Sequence, residues 1–317
     1  MALKKYIATG LNQLDVVKLV DGTFLPAVMG GIPMYGYCGM RMWSDSVLFL
    51  ARIGKDFFDY YNPWFDNNRI DHSGLIVAGD KTPYSYQCYD ENFNTSPETN
   101  FYTGNIKDAD YWRPHIEDIK SVVCDETKGF YMTASPEDEI FWEKLIRLSH
   151  QFDFKIMWEP NNSHTFPEDA ERTRYLCENL PMVSFNVPEA MNIFGIDNET
   201  NLIKYLRGLK PELILLRCGV RGLYTIHDGE VYFIPSARVP SGASVVDVTG
   251  CGNTSTSGAC VVWCETADPI MTGIKANISA NYNLRQRGPY PLIDGAVMSE
   301  AEAMAQDYYQ RKLYKKL

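Results

Sequence analysis

Residues 245–258 read Val-Val-Asp-Val-Thr-Gly-Cys-Gly-Asn-Thr-Ser-Thr-Ser-Gly: an apolar pair, a Gly-x-Gly turn and a run of small hydroxyl residues. An apolar segment, 259–264, follows, and the order predicts loop, tight turn and helix. Gly250 and Gly252 have no Cβ to block a ligand or to forbid positive φ. The first amides of a helix have no intrahelical acceptor, and the helix dipole adds positive potential there. A place built this way holds phosphate. The plain alternative is a Gly-rich connection ahead of a buried helix.

The residues around the turn favour the first reading. Asp247-Val248-Thr249-Gly250-Cys251-Gly252-Asn253 resembles the Asp-Thr-Thr-Gly-Ala-Gly-Asp signature of the ribokinase-like (PfkB) carbohydrate kinases. The resemblance implies that Gly250, Cys251 and Gly252 form an anion hole for a phosphoryl group in transfer. It implies that residue 253 stands where the family's base takes the proton of the substrate hydroxyl. Here that residue is Asn253, and a neutral amide can orient a hydroxyl but cannot accept its proton as a carboxylate does. Two functions follow as expectations: an ATP-dependent kinase with a weak base, and a pseudokinase that binds a sugar, nucleoside or nucleotide without turnover. Were Asn253 one engineered exchange, Asn253→Asp would restore high activity. Cys251 and the 254–257 run also leave the common pattern, which favours drift of the whole segment.

Other stretches fit the same family in the same order. Gly10 and Asp15 match its opening Gly-x-x-x-x-Asp, whose Asp binds sugar hydroxyls; alone, such an Asp reads as a turn former. Gly30 and Gly31 match its substrate loop, and 51–57 the segment that closes the following helix. Tyr35 stands where the family often has a sugar-binding Asn. With Tyr37, Met40, Met42 and Trp43 it forms either an aromatic wall for a ring or the packing of a helix. Glu159-Pro160-Asn161 departs mildly from a frequent Asp-Pro-Asn. Asn186-Val187-Pro188-Glu189 matches Asn-x-x-Glu, which implies an indirect role for Glu189 at Mg2+ and for Asn186 at the nucleotide; Pro188-Glu189 is equally an ordinary helix start. Arg217-Cys218-Gly219-Val220-Arg221-Gly222 resembles Thr-x-Gly-x-x-Gly of the nucleotide site. Arg217, in place of Thr, either contacts phosphate or pairs with a surface acid. Asn277 falls on the helix that flanks the adenine pocket in the family. The cofactors implied are ATP and Mg2+, the substrate a sugar or nucleoside.

Composition sets the outer bounds. The chain has 317 residues, 45% of them hydrophobic and 22% charged, as in an ordinary globular protein. A net charge of −10 argues against a nucleic-acid partner. No apolar run approaches the ~18 residues of a membrane span, and the first ten residues read as a strand rather than a signal peptide, so a cytoplasmic protein is expected. Eight scattered cysteines without Cys-x-x-Cys point to reduced, mostly buried thiols, and His72, His115, His150, His164 and His227 form no metal-like cluster in sequence.

The elements that must position these groups alternate. Strands are expected at 121–124, 154–158, 182–185 and 213–216. Helices are expected from Ser135-Pro136 with Ile140, Phe141, Leu145 and Leu148 on the apolar face, from Pro167 to about Asn179, and from Asp268 through Asn281. Asp228-Gly229 joins a hairpin. Strand–helix alternation means an α/β fold, here ribokinase-like: a doubly wound, mostly parallel sheet with helices on both faces and ligands at the strands' carboxyl ends. A short strand at 75–77, a period-two run at 84–89, a turn at Asp90-Glu91-Asn92 and a return at 99–102 predict a small β-lid, contributed by about 11–35 and 74–104. The whole, 1–317, is expected to be a single ribokinase-like domain. In several family members the lid forms the dimer contact, which implies a homodimer through the lid; a solvated hairpin is the alternative.

Overall fold

The computed structural model describes residues 4–18, 22–88, 109–161, 164–237 and 244–317. Its strands are β1 (Tyr6–Thr9), β2 (Asn12–Lys18), β3 (Val28–Gly31), β4 (Val47–Gly54), β5 (Leu75–Gly79), β6 (Tyr84–Cys88), β7 (Gly129–Ala134), β8 (Lys155–Pro160), β9 (Met182–Asn186), β10 (Leu213–Arg217), β11 (Gly222–His227), β12 (Glu230–Pro235) and β13 (Lys315–Lys316). Its helices are α1 (Ile32–Arg41), α2 (Phe57–Asn68), α3 (Ala109–Trp112), α4 (Ile116–Lys120), α5 (Glu139–Phe152), α6 (Ala170–Asn179), α7 (Val187–Phe194), α8 (Glu199–Leu206), α9 (Cys251–Thr266), α10 (Pro269–Asn283) and α11 (Gly295–Gln310). None is long and apolar enough to cross a membrane among the described residues.

The large sheet has ten strands in the order β13-β12-β11-β10-β9-β8-β7-β1-β4-β5. It is parallel from β10 to β5 and antiparallel from β10 to β13. The parallel strands are apolar almost throughout because both faces are covered. In β4, Val47, Phe49, Ala51 and Ile53 point into one core, while Leu48 and Leu50 enter the other. The first core is completed by α1, α2, α9, α10 and α11, the second by α4 to α8. A smaller sheet, β3-β2-β6, stands apart from the large one. The chain is thus an α/β protein with helices on both faces of a mostly parallel sheet, plus a small β-sheet.

Several expectations shift. Residues 121–124 are not a strand. Ser121 N–H bonds the Glu117 carbonyl, and the Val122 and Val123 amides both reach Ile119, so the segment closes α4 while its two valines enter the core. The strand that pairs with β1 begins eight residues after Ser121, at Gly129. Asp15 lies inside β2 rather than on a turn, because 12–18 pair with both β3 and β6. Residues 75–77 join the edge of the large sheet beside β4, so among the described residues of the second lid segment only β6 reaches the small sheet. Residues 51–54 complete β4 instead of closing a helix. Helix α5 starts at Glu139, capped by the Asp138 side chain, and buries Trp142 while Ile140 is 67% exposed. The predicted turn at Asp90-Glu91-Asn92 and the return at 99–102 lie outside the described residues.

Candidate functional site

Helix α9 starts at the carboxyl ends of the parallel strands, where Thr133 and Glu159, next to last in β7 and β8, lie beside Asn186 and Arg217, which end β9 and β10. Gly250 is its N-cap, with φ of 77°, a conformation costly for any residue with a Cβ. Asp247 shapes the turn by accepting from the Thr249 amide at 2.9 Å and the Thr249 hydroxyl at 2.7 Å. Asn283 of α10 fastens it with a 2.7 Å bond to the Thr249 carbonyl. The Cys251 amide bonds Val248 and the Thr254 amide bonds Gly250. The two amides between them, of Gly252 and Asn253, meet no protein acceptor among the described residues. Amides left without partners at a helix N-terminus can donate to an anion. Burial pushes the Cys251 thiol up to about 12, so it is no nucleophile.

The two glycines are each covered by a side chain from another element. A Cβ on Gly250 would stand 2.2 Å from the ring of Tyr35. Tyr35, in the first turn of α1 and 2% exposed, reaches toward Asp15, with its hydroxyl 3.5 Å from Oδ2. Asp15 is itself 2% exposed, accepts from Gln13 Nε2 at 3.1 Å and lies against Gly30. The expected substrate residues Asp15, Gly30 and Tyr35 therefore do meet, with Tyr35 packed between Asp15 and the helix start. Gly31 ends β3 and is the N-cap of α1. The rest of the aromatic run follows the packing alternative: Tyr37 packs edge-on to Trp64, and Trp43 bonds Ser279 at 2.8 Å.

On the other side, a Cβ on Gly252 would stand 2.0 Å from Arg217 Nη1. Arg217 Nη2 lies 2.6 Å from Glu159 Oε1 and 3.7 Å from Glu189 Oε2. Its Nε and Nη2 are both buried, and Nη2 faces Glu159. Burial works against the guanidinium's charge, but the two carboxylates outweigh it and hold its pKa above the ordinary value. Burial also raises the Glu189 carboxyl above the usual carboxylate range, against the pull of Arg217.

Sequence reading missed the partner of Asn253. Its Nδ2 donates to the Tyr131 hydroxyl at 2.9 Å, and that hydroxyl donates to Glu159 Oε2 at 3.0 Å. The carboxylate can only accept, so the whole row has one direction, and Asn253 Oδ1 is the end left for a ligand hydroxyl. Burial, reinforced by Glu159, raises the Tyr131 hydroxyl far above 10, which rules it out as a base near neutrality. Tyr131 sits within the apolar strand Gly-Phe-Tyr-Met-Thr-Ala, where nothing local marks it as different from its neighbours.

Other expected residues have structural work. Asn186 and Glu189 form a capping box at α7, each side chain bonding the other's amide at 2.8 and 3.0 Å. Asn277 ties α10 to β12 through the Ile234 and Pro235 carbonyls. Gly219 and Gly222 shape the turn between β10 and β11. Contrary to the sequence reading, one histidine does enter an acidic cluster: His164 meets Glu137 and Asp169. Arg172 lies 3.9 Å from Glu137, and Asp169 already accepts from the Phe166 amide, so ion pairing and helix entry account for the cluster. Magnesium does not fit at Glu189: a hydrated dication needs free oxygen ligands, and the carboxylates of Glu159 and Glu189 already face a guanidinium.

No family model matches the chain. An uncharacterised protein of Schizosaccharomyces pombe is 20% identical over 320 residues, covering 90% of this chain and 85% of that protein. Among solved structures, the nucleoside kinase of Burkholderia thailandensis in complex with inosine superposes with a TM-score of 0.70 at 15% identity, covering 96% of this chain and 97% of that one. Fructokinase with bound ATP from Xylella fastidiosa gives 0.70 at 15%, covering 96% and 100%. A fructokinase double mutant from Vibrio cholerae O395 bound to fructose, ADP and potassium ion gives 0.73 at 14%, covering 94% and 98%. Nearly full coverage in both directions makes the fold of this chain ribokinase-like.

Proposed function

We propose that this protein is an ATP-dependent phosphotransferase acting on a hydroxyl of a sugar or nucleoside, as a single ribokinase-like domain whose small sheet covers the acceptor. The observation that carries the reading is the pair of unpartnered amides at Gly252 and Asn253, set beside Asn253 Oδ1 and across Tyr35 from Asp15. The amides and Arg217 hold the negative charge of the transferring phosphoryl group; Asn253 Oδ1 accepts from and orients the attacking hydroxyl. The hydroxyl oxygen forms the new bond to the γ-phosphorus, the bond to the β-phosphate oxygen breaks, and the hydroxyl proton leaves to solvent or to the phosphate oxygens. Lack of a carboxylate base at 253 lowers the rate by about 10²–10⁴-fold against a site that has one. Asp15, Tyr35 and Gly30 line the acceptor side, so Tyr35 must swing aside for an acceptor to reach Asp15.

A second reading, binding without turnover, is favoured by the row Asn253–Tyr131–Glu159, in which the group at the base position is fixed as a donor toward the protein. Calorimetry with ATP and ADP, followed by ADP release across a panel of sugars and nucleosides, separates the two. Acceptor-dependent ADP release supports transfer; binding without release supports the second reading; no nucleotide binding removes both.

A further inference from the structure

Three neighbouring strand ends and two helix starts put two carboxylates, one guanidinium and two free amides in one place. Arg217 ends β10, directly opposite Asn186 of β9, from which Glu189 follows in the first turn of α7. Glu159, near the end of β8, closes the group from the other side. The side chains of Arg217, Glu159 and Glu189 are 12%, 9% and 15% exposed, so their charges are compensated chiefly by one another. An arginine held only as a structural ion pair normally directs its N–H groups at its partners. Here Nη2 faces Glu159 at 2.6 Å, while Nη1 rests against Gly252. The guanidinium is anchored through Nη2 and presents Nη1 beside the free amides of the helix start.

We propose that Arg217 is the resident cation of this site, standing where a divalent metal would otherwise be held between Glu159 and Glu189, so that nucleotide phosphates bind to the guanidinium and the Gly252 and Asn253 amides without Mg2+. The inference rests on the phosphate-site reading above and adds that the chain has exchanged an exogenous cation for a covalently attached one. Guanidinium is suited to this place because it stays charged at any physiological pH and offers a planar fork to phosphate oxygens. Gly252 then has a reason of its own, since any side chain there displaces Nη1.

The test is calorimetric binding of ADP, which cannot turn over, to the full chain in EDTA and in excess Mg2+. For the wild type, the two dissociation constants are expected to agree within about three-fold, and Arg217→Thr is expected to lose about ten-fold or more in EDTA and to recover on adding Mg2+. Wild-type affinity that rises about ten-fold or more with Mg2+ overturns the inference while leaving the phosphotransferase reading intact. Unchanged affinity of folded Arg217→Thr in EDTA overturns it as well. Absence of ADP binding by the wild type in both buffers overturns the inference and the phosphate site together. If Arg217→Thr fails to fold, the wild-type comparison still decides, and Arg217→Lys, which keeps the charge and loses the fork, is expected to bind ADP more weakly than the wild type in EDTA.

Discussion

The turn at 250–252 divides the site into two halves of opposite character. Gly250 faces the Tyr35 ring, a neutral group whose hydroxyl lies 3.5 Å from Asp15 Oδ2; Gly252 faces Arg217, a cation gripped by two acids. Both halves are closed by the chain's own side chains, but in different ways. A tyrosine packed by shape can rotate out when a ligand competes for its space. A guanidinium between buried carboxylates cannot leave without stranding their charge. The Tyr35 half is therefore the adaptable one, and the Arg217 half is pre-organised.

The sharpest way to break this comparison is to remove the charge from one half. Arg217→Met keeps the volume and leaves Glu159 and Glu189 facing each other without a cation. It is expected to lower the unfolding free energy by about 3–5 kcal/mol, the usual cost of breaking a buried pair. Adding Glu159→Gln and Glu189→Gln should return most of that loss. Chemical denaturation of the single and triple variants measures it; an Arg217→Met protein as stable as the wild type would mean the cluster is wetter and looser than its exposure implies.

Next in size is Gly250→Ala, which tests the neutral half. The left-handed φ costs a Cβ roughly 1–2 kcal/mol, and the contact with the Tyr35 ring adds overpacking of about 1–3 kcal/mol. In a Tyr35→Ala background only the first part should remain, because the ring is gone. A double-mutant cycle reads the difference directly. Equal costs in both backgrounds would show that Tyr35 already moves freely, and the contrast between the rigid and the adaptable half would then be greater still.

How far the sequence foretold this arrangement differs between the same two halves. The turn, the helix after it and the parallel strands were legible because they rest on local pattern: Gly-x-Gly before an apolar run, and strand-length apolar segments between amphipathic helices. Asp15 and Tyr35, singled out through the family resemblance, do meet in the fold, although Asp15 is expected on a turn and lies in β2. For Arg217 the sequence leaves phosphate and a surface acid open, and its partners are buried acids from the end of β8 and the first turn of α7. Such a cluster depends on which strands become neighbours, and one-dimensional spacing does not carry that. Tyr131 was missed for the same reason, since its hydroxyl matters only because Asn253 and Glu159 arrive from elsewhere. Residues 121–124 failed differently: a pair of valines reads as strand by propensity, but the chain was still closing a helix.

Asn253→Asp is expected to have a smaller effect, and one that runs against the intuition of restoring a base. The new carboxylate would face the Tyr131 oxygen, whose only proton already goes to Glu159. One acceptor must go unmatched, at a cost of about 1–3 kcal/mol. Protonation of residue 253 repairs the row by supplying a donor, so the deficit relative to the wild type should shrink as pH falls. Turnover regained at neutral pH with no loss of stability would show that Tyr131 turns away, and would return the proton to a carboxylate at 253.

The smallest expected effect belongs to Glu189, and it is read as a slope. Burial holds this carboxyl above its unfolded value, so the folded protein binds a proton that the unfolded chain has already released. Stability is then highest, as far as this group is concerned, below the unfolded pKa of about 4.3, and declines as pH rises through the folded value. That is opposite to an ordinary salt-bridged glutamate, whose contribution appears as pH rises. Glu189→Gln removes the titration and keeps the capping bond, since an amide oxygen can still accept from the Asn186 amide. Thermal midpoints followed upward from the unfolded pKa should therefore fall less steeply for the variant than for the wild type. A steeper fall in the variant would mean that Arg217 pairs chiefly with Glu189 rather than Glu159, and the two acids would exchange roles in holding the cation.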